Sequence, residues 1–348
     1  MIKKLFFTAA LLVPGLAYAG NPSSTLPGQI VPAGPGPGSI ACDIGPPYRG
    51  SIPAGAQLGG HTHCAANYDF TSTADFTYAG HTYNFSQIST WLGNCGASAP
   101  LWWNIGYGSP RTPCSRYNII TDGGVNVLDM TFLPADNTVS EATWMQTSSG
   151  SGSSEFVFPQ GAYAEITMRS TQSTLNAYSG GQDILSFFSW DGEVAAQNGN
   201  LIEWDVIEWF ASPDSSAGGG CVDWANSHYP CFTTQTMYNH NNLAAVLSYH
   251  SYGQLATSDG ANFMEKCHYV DGIQGSIDGH PGPCSGKFTP ANQSHFSLHN
   301  YYSTGLGNLN PPPGTVLPAS QMDMYIKSIT FWSCPGWQTG QCNGTVVP

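Results

Sequence analysis

The stretch Glu203-Trp204-Asp205-Val206-Ile207-Glu208-Trp209 decides how the rest of the chain is read. Charged residues make up 9% of the sequence, against about a quarter in an ordinary soluble domain. Yet three carboxylates fall within this short aromatic, β-branched run. The run reads as a strand. A strand so apolar has no structural need of three acids, whereas a cleft built for chemistry does. The plain alternative is an acidic strand face open to solvent.

Strand alternation puts Glu203 and Asp205 on one face. Glu208 falls on the other face unless a β-bulge near Val206 and Ile207 absorbs one residue. With that bulge all three acids line one surface, and Trp204 and one bulge residue turn to the core. Two carboxylates held about 5 Å apart are the tools of a retaining glycosidase. One attacks the sugar carbon; the other protonates the leaving oxygen and then activates water. Asp205, between them in sequence, orients the nucleophile by sharing a proton.

The whole chain has 348 residues, enough for one large β domain or two small ones. Its net charge is −13, with nine Lys and Arg, of which Lys3 and Lys4 leave with a leader, so seven remain (9 − 2). Nucleic acids and anionic membranes want basic patches, so neither is expected as a partner. Abundant Gly, Ser, Thr, Asn, Tyr and Trp suit an exported all-β protein with many turns. Indoles and amides are also the groups that meet the ring faces and hydroxyls of neutral sugars.

Residues 1–4 form a basic start, 5–13 an apolar core too short to span a bilayer, and Ala17-Tyr18-Ala19 a small-x-small cleavage site. We read 1–19 as a signal peptide, which places the mature chain in the periplasm or outside the cell. No Cys follows the cleavage point, so no lipid anchor is expected there. Ten cysteines in such a chain imply disulfides rather than metal ligands. Three pairs close in sequence read as loop staples: Cys221 with Cys231, Cys267 with Cys284, Cys334 with Cys342. Cys42, Cys64, Cys95 and Cys114 then pair among themselves, in a connectivity that spacing leaves open. His61-Thr62-His63-Cys64 has the look of a metal cluster, but oxidation of Cys64 is the simpler reading.

Residues 20–60 are rich in Pro and Gly and read as an arm or linker, or else as a strand-poor flap lying on the domain. Residues 61–334 are the β domain and 335–348 a tail. Short aromatic and Thr-rich runs between 68 and 91 read as strands with turns at Gly80 and Gly93. Trp102 and Trp103 are either one core anchor and one exposed platform, or both core. The segments 117–120 and 125–132 flank Asp122-Gly123-Gly124 as a hairpin. The segments 161–169, 183–190 and the acidic run build an antiparallel sheet. Residues 233–240 read as a further strand, 244–252 as a strand or short helix, 263–271 with 273–277 as a hairpin, and 323–332 as a closing strand. No long amphipathic helix and no fixed repeat appear. The natural architecture is a sandwich of two antiparallel sheets.

Glu203-Trp-Asp-Val-Ile-Glu208 resembles the Glu-x-Asp-x-x-Glu signature of glycoside hydrolase family 16. That family is a curved, concanavalin A-like jelly roll of retaining endo-enzymes, many acting on β-1,3- or mixed-linked glucans. The flanks agree in order: 162–169 looks like the strand before the signature, 185–190 like the next, 234–240 like the one after it, and 324–332 like the last. The resemblance covers about residues 117–332. It implies Glu203 as nucleophile, Asp205 as its assistant and Glu208 as general acid/base. It offers Trp190, Trp103, Arg116 and His240 as substrate contacts. Core packing is the alternative for both tryptophans, a surface ion pair for Arg116 and an exposed strand residue for His240. Asn200-Leu201-Ile202 departs from the usual Trp or Gly before the first Glu. Many relatives also hold a structural calcium through an Asp in the last strand; here Lys327 stands there, with Asp323 as the nearest substitute. No cofactor and no catalytic metal are therefore expected.

The expected function is a secreted, monomeric endo-glycosidase that hydrolyses a β-linked polysaccharide. A cell-wall transglycosylase would use the same residues. A non-catalytic carbohydrate-binding protein would gain nothing from clustered like charges. Asn-x-Ser/Thr sequences at Asn84, Asn292 and Asn343 matter only in a glycosylating host.

Overall fold

The computed structural model describes residues 38–105, 113–132, 142–147, 161–171, 182–190, 202–210, 224–225, 247–258, 262–274, 289–290, 295–303 and 321–337. The expected signal peptide (residues 1–19), Cys221 with Cys231, residues 233–240, Cys284, Cys342, Asn292 and Asn343 lie outside them. The first strands are β1 (Cys42–Ile44), β2 (His63–Asp69), β3 (Phe76–Tyr78), β4 (His81–Tyr83), β5 (Leu92–Gly93) and β6 (Trp102–Ile105). The middle of the chain gives β7 (Tyr117–Asp122), β8 (Val125–Phe132), β9 (Ala142–Gln146), β10 (Gly161–Ser170), β11 (Gln182–Trp190), β12 (Ile202–Phe210) and β13 (Trp224–Ala225). The last are β14 (His250–Ser258), β15 (Asn262–Val270), β16 (Ile273–Gln274), β17 (Thr289–Pro290), β18 (His295–Ser303) and β19 (Met322–Ser333). Helix is confined to α1 (Ala54–Leu58), α2 (Ile88–Trp91) and the 3₁₀ turn Cys114–Arg116. Among the described residues no helix is long and apolar enough to cross a membrane.

The strands build an all-β sandwich of jelly-roll type. Among the described residues one sheet has ten strands and runs β1-β2-β19-β10-β14-β15-β16, with β8 on β19, β7 on β8 and β17 on β15. The other has seven and runs β13-β12-β11-β18-β9-β6-β5. Pairing is antiparallel except for β1 with β2 and β5 with β6. β3 and β4 form a separate hairpin.

The turns follow from residues that tolerate positive φ. Gly123 and Gly124 (φ 57° and 85°) join β7 to β8, and Asp271 and Gly272 (φ 50° and 75°) join β15 to β16. These are the tight turns whose twist matches that of the paired strands.

Alternating residues fill the space between the sheets. Leu128, Met130 and Phe132 of β8, Ile166 and Met168 of β10 and Met322, Met324 and Ile326 of β19 meet Trp102, Met145 and Leu298 of the seven-stranded sheet. All are buried. Each large apolar side chain so buried contributes about 1.5–3 kcal/mol.

The other face of the ten-stranded sheet carries a second apolar cluster. Tyr163, Leu255, Tyr269 and Trp332 pack there against Ala56 of α1 and Cys64. Residues 38–60 lie on this layer: the disulfide Cys42–Cys64 pins β1, and Tyr48 sets its ring edge-on to Trp332 at 5.0 Å. At Gly55 a Cβ would stand 2.3 Å from the Tyr163 ring, so only a residue without a side chain lets α1 lie this close. The second described disulfide joins Cys95 to Cys114, and Cys334 is disulfide-bonded as well.

One expected strand segment differs: residues 88–91 are helical. Of the segment 244–252, read as a strand or short helix, residues 244–246 lie outside the described residues and β14 starts at His250. Cys64 is oxidised, bonded to Cys42, and the Nε2 of His63 lies 2.9 Å from the Asp43 carboxylate, which also accepts the indole N–H of Trp337 at 2.8 Å. The Asn84 sequence is closed to glycosylation in the folded chain. Its amide nitrogen donates to the Thr73 carbonyl and Asp75 carboxylate, and its oxygen accepts from the Ser86 N–H and hydroxyl.

Candidate active site

The acidic run forms β12, second from the edge of the seven-stranded sheet. Its pairing with β11 contains the irregularity that matters. Glu203 pairs with Trp190, Trp204 with Ser189 and Asp205 with Phe188; then Ile207 pairs with Phe187 and Glu208 with Ser186. Val206 is skipped. A strand that carries one extra residue against its neighbour is a β-bulge. Ser186, Phe188 and Trp190 are spaced by two along β11, so the partners of the three acids share one parity. The backbone register therefore sets Glu203, Asp205 and Glu208 at positions on the same face of the sheet.

Which face this is follows from tracing rows across the strands. Ile207 stands opposite Phe187, Phe187 opposite Leu298, Leu298 opposite Met145 and Met145 opposite Asn104. Leu298, Met145 and Asn104 are buried, so that row faces the core between the sheets. The neighbouring row reads Asp205, Phe188, Ser297, Gln146, Trp103. It belongs to the opposite face, away from the core. The rows of Glu208 (Ser186, His299, Trp144, Ile105) and of Glu203 (Trp190, His295, with Trp224 on its other side) have the same parity.

The tryptophan pair divides as one core anchor and one partner on the outer face. Trp102 is fully buried and meets Tyr68 edge-on at 5.6 Å. Trp103 is half-buried and lies over β5, where Gly93 makes room: a Cβ there would stand 2.6 Å from the indole. Trp103 shares a row with Asp205 but is four strands away. At about 4.8 Å per strand that is about 19 Å. Arg116 is half-buried in the turn Cys114–Arg116, which leads into β7 of the other sheet. The Cys95–Cys114 bridge and a hydrogen bond from the Tyr117 hydroxyl to Asn104 (3.2 Å) tie that turn to the β5–β6 end. The structure thus brings the positions of Trp190 and the three acids together and keeps Trp103 and Arg116 apart from them. His240 lies outside the described residues.

The three rows of the acids also hold positions that the motif did not name: His295, Ser297 and His299 on β18, and Trp144 and Gln146 on β9. The signal was present in His295-Phe-Ser-Leu-His299, where polar residues alternate with apolar ones. Placing that strand beside β11 needs the sheet order, which sequence alone does not provide.

A structural calcium does not fit the Lys327 position. The ammonium lies 3.8 Å from the centre of the Tyr249 ring and would repel a dication. Asp323 is buried, accepts from the Gln321 amide at 2.7 Å and lies close enough to Asp129 for its charge to raise that carboxyl's pKa. Among the described residues no three His, Cys, Asp or Glu converge as a metal site.

No family profile matches the chain, and no curated protein matches it. Solved structures resemble it in part. A laminarinase from Flavobacterium sp. UMI-01 is 15% identical over 67% of this chain and 93% of its own, with a TM-score of 0.40. The β-glucanase of Bacillus licheniformis is 14% identical over 66% of this chain and 91% of its own, with a TM-score of 0.39. A mixed-linkage glucan GH16 protein of Bacteroides ovatus, in complex with a G4G4G3G product, is 13% identical over 64% and 87%, with a TM-score of 0.35. Values this low leave the chemistry to be argued from this chain's own residues.

Proposed function

We propose that the chain is a secreted or periplasmic retaining endo-glycosidase that hydrolyses a β-linked polysaccharide, with β-1,3- or β-1,3-1,4-glucan favoured. The observation that carries this reading is the skipped Val206, which supports a shared face for Glu203 and Glu208. Without the skip the two carboxylates would sit on opposite sides of the sheet and could not serve one glycosidic bond.

Glu203 attacks the anomeric carbon while Glu208 protonates the leaving oxygen. The glycosyl ester on Glu203 is then hydrolysed by water that Glu208 deprotonates. Asp205 positions Glu203 between the two steps. Trp190, at the register position of Glu203, is the platform for the adjoining sugar. The row from Asp205 to Trp103 spans about 19 Å across the strands. A binding face of that length suits internal cleavage of a polymer better than removal of terminal units.

Purified protein should release reducing ends from one polymer of a polysaccharide panel, and Glu203→Gln should abolish release. Loss of a nucleophile of this kind costs several orders of magnitude in kcat, with affinity for the polymer kept. Proton NMR of the first product should show retained anomeric configuration. Full activity of Glu203→Gln, or an inverted first product, would defeat the assignment. An added acceptor sugar separates hydrolysis from transfer.

A further inference from the structure

The outer face of the ten-stranded sheet holds a cavity of about 570 Å³ that the proposed chemistry does not use. Its walls come from residues 48–49, from Asn67 and Asp69 of β2 and residues 71–74 after it, from Thr167 of β10 and from Lys327 and Ser328 of β19. Lys327 arrives there through a second register shift. Thr167 pairs with Ser328 and Met168 with Ile326, so Lys327 is the residue left over. The bulge sets Lys327 and Ser328 side by side on the face away from the core. Bulges that re-aim a side chain in this way cluster beside functional sites.

The charges of this cavity run against those of the chain. The protein carries −13 overall, and only seven basic residues follow the leader, by the count above. Two of the seven, Arg49 and Lys327, line this one cavity. Arg49 is exposed and makes no hydrogen bond or ion pair among the described residues. Lys327 rests on the neutral ring of Tyr249. Asp122, an acid with which Lys327 interacts through charge, is already held at both oxygens by Arg169 (2.7 and 2.9 Å) and by the Tyr249 hydroxyl (2.7 Å). The one carboxylate among the described lining residues, Asp69, accepts from the N–H and hydroxyl of Thr71 at 3.0 and 2.6 Å. Among the described residues neither cation is within ion-pair distance of a carboxylate.

The rest of the lining is hydroxyl and amide: Ser72, Thr73, Thr167, Ser328 and Asn67, with the half-buried Tyr48 at one side. A volume of this order is that of a small-molecule site, within about 300–1,000 Å³. A concave, hydroxyl-rich pocket with two cations suits a single polar unit carrying negative charge. A duplex or a membrane surface needs an extended basic face.

We propose that this cavity binds one sugar unit bearing a carboxylate or sulfate group, held by Arg49 and Lys327, on the sheet opposite the acidic strand. It is an attachment point for an acidic polysaccharide, separate from the polymer cleaved at the acidic strand. The saccharide half of the assignment rests on the glycosidase reading; the anionic half rests on the cavity alone.

Calorimetry on the full Glu203→Gln protein tests it with defined probes: a tetragalacturonate, a sulfated carrageenan tetrasaccharide, neutral cellotetraose, inorganic sulfate and a short single-stranded DNA. At least one acidic tetrasaccharide should bind at least tenfold more tightly than cellotetraose, and which one does separates carboxylate from sulfate. Arg49→Ala and Lys327→Met, each keeping the wild-type melting temperature, should each lose that preference. The Met side chain preserves packing on Tyr249, so a fold defect is separable from loss of charge. Equal binding of neutral and acidic tetrasaccharides, binding of inorganic sulfate with no sugar bound, or tighter binding of the DNA would each overturn the proposal. Reducing-end release by the wild type is read separately, so failure of the glycosidase reading is not confused with failure of this one.

Discussion

Asp129 of β8 offers a test of how the sandwich depends on pH. It lies on the side of β8 away from the core, opposite Tyr325 of β19 and one step from Asp323. It is only 6% exposed, and its Oδ1 has no hydrogen-bond partner. Burial, reinforced by the negative charge of Asp323 and only partly relieved by the Thr131 hydroxyl, pushes its pKa from 3.8 up to about 7. The folded chain thus holds this proton more tightly than the unfolded chain does. The stability it supplies is full below the unfolded value and is lost as pH rises through the folded one. At 1.36 kcal/mol for each pH unit, the gap amounts to about 4 kcal/mol between pH 4 and 8. Asp129→Asn keeps the shape and removes the titration. We expect the variant to match the wild type at pH 4 and to exceed it at pH 8. In a domain of this size each kcal/mol moves Tm by roughly 2 °C, so the variant should melt about 8 °C higher at pH 8. Thermal melts at both pH values, with disulfides intact, read this directly. Parallel pH profiles for variant and wild type would show that Asp129 holds no such proton in the folded chain.

Two further outcomes follow from the geometry of the seven-stranded sheet. Deleting Val206 restores unbroken alternation in β12 and moves Glu208 to the other parity; polymer cleavage should fall at least a thousandfold in reducing-end assays while β-sheet circular dichroism persists, and retained cleavage would sink the paired-acid reading. Gly93→Ala drives a methyl group into the Trp103 indole, at a cost of about 1–3 kcal/mol; KM should rise for long substrates and stay unchanged for short ones that do not reach β6.

Particular residues show what the sequence makes legible. Asp122-Gly123-Gly124 and Asp271-Gly272 declare their turns because positive φ is written into residue type. The skip at Val206 is legible because three acids at this spacing share a face only if one residue drops out. The sandwich follows from period-two runs such as 162–169 and 323–332. The layer over the ten-stranded sheet is not legible in the same way. Residues 38–60 look like a linker by composition, yet their small residues are what allow α1 to settle on Tyr163 and Tyr269. The helix at 88–91 is too short for periodicity to reveal. The Lys327 cavity draws on four separate segments, so no local pattern announces it. The roles of Glu203, Asp205 and Glu208 rest on register and chemistry and await the assays above.

β19 borders β10 along one side and both β2 and β8 along the other. It is also the last of the described strands to leave the ribosome. Until it arrives, three earlier strands have bare edges where it belongs, and the half-built sheet is an open zipper able to catch other copies of itself. Synthesis that stops short of residue 322 should therefore yield sticky fragments rather than a smaller working protein. The final stretch acts as the keystone of the arch.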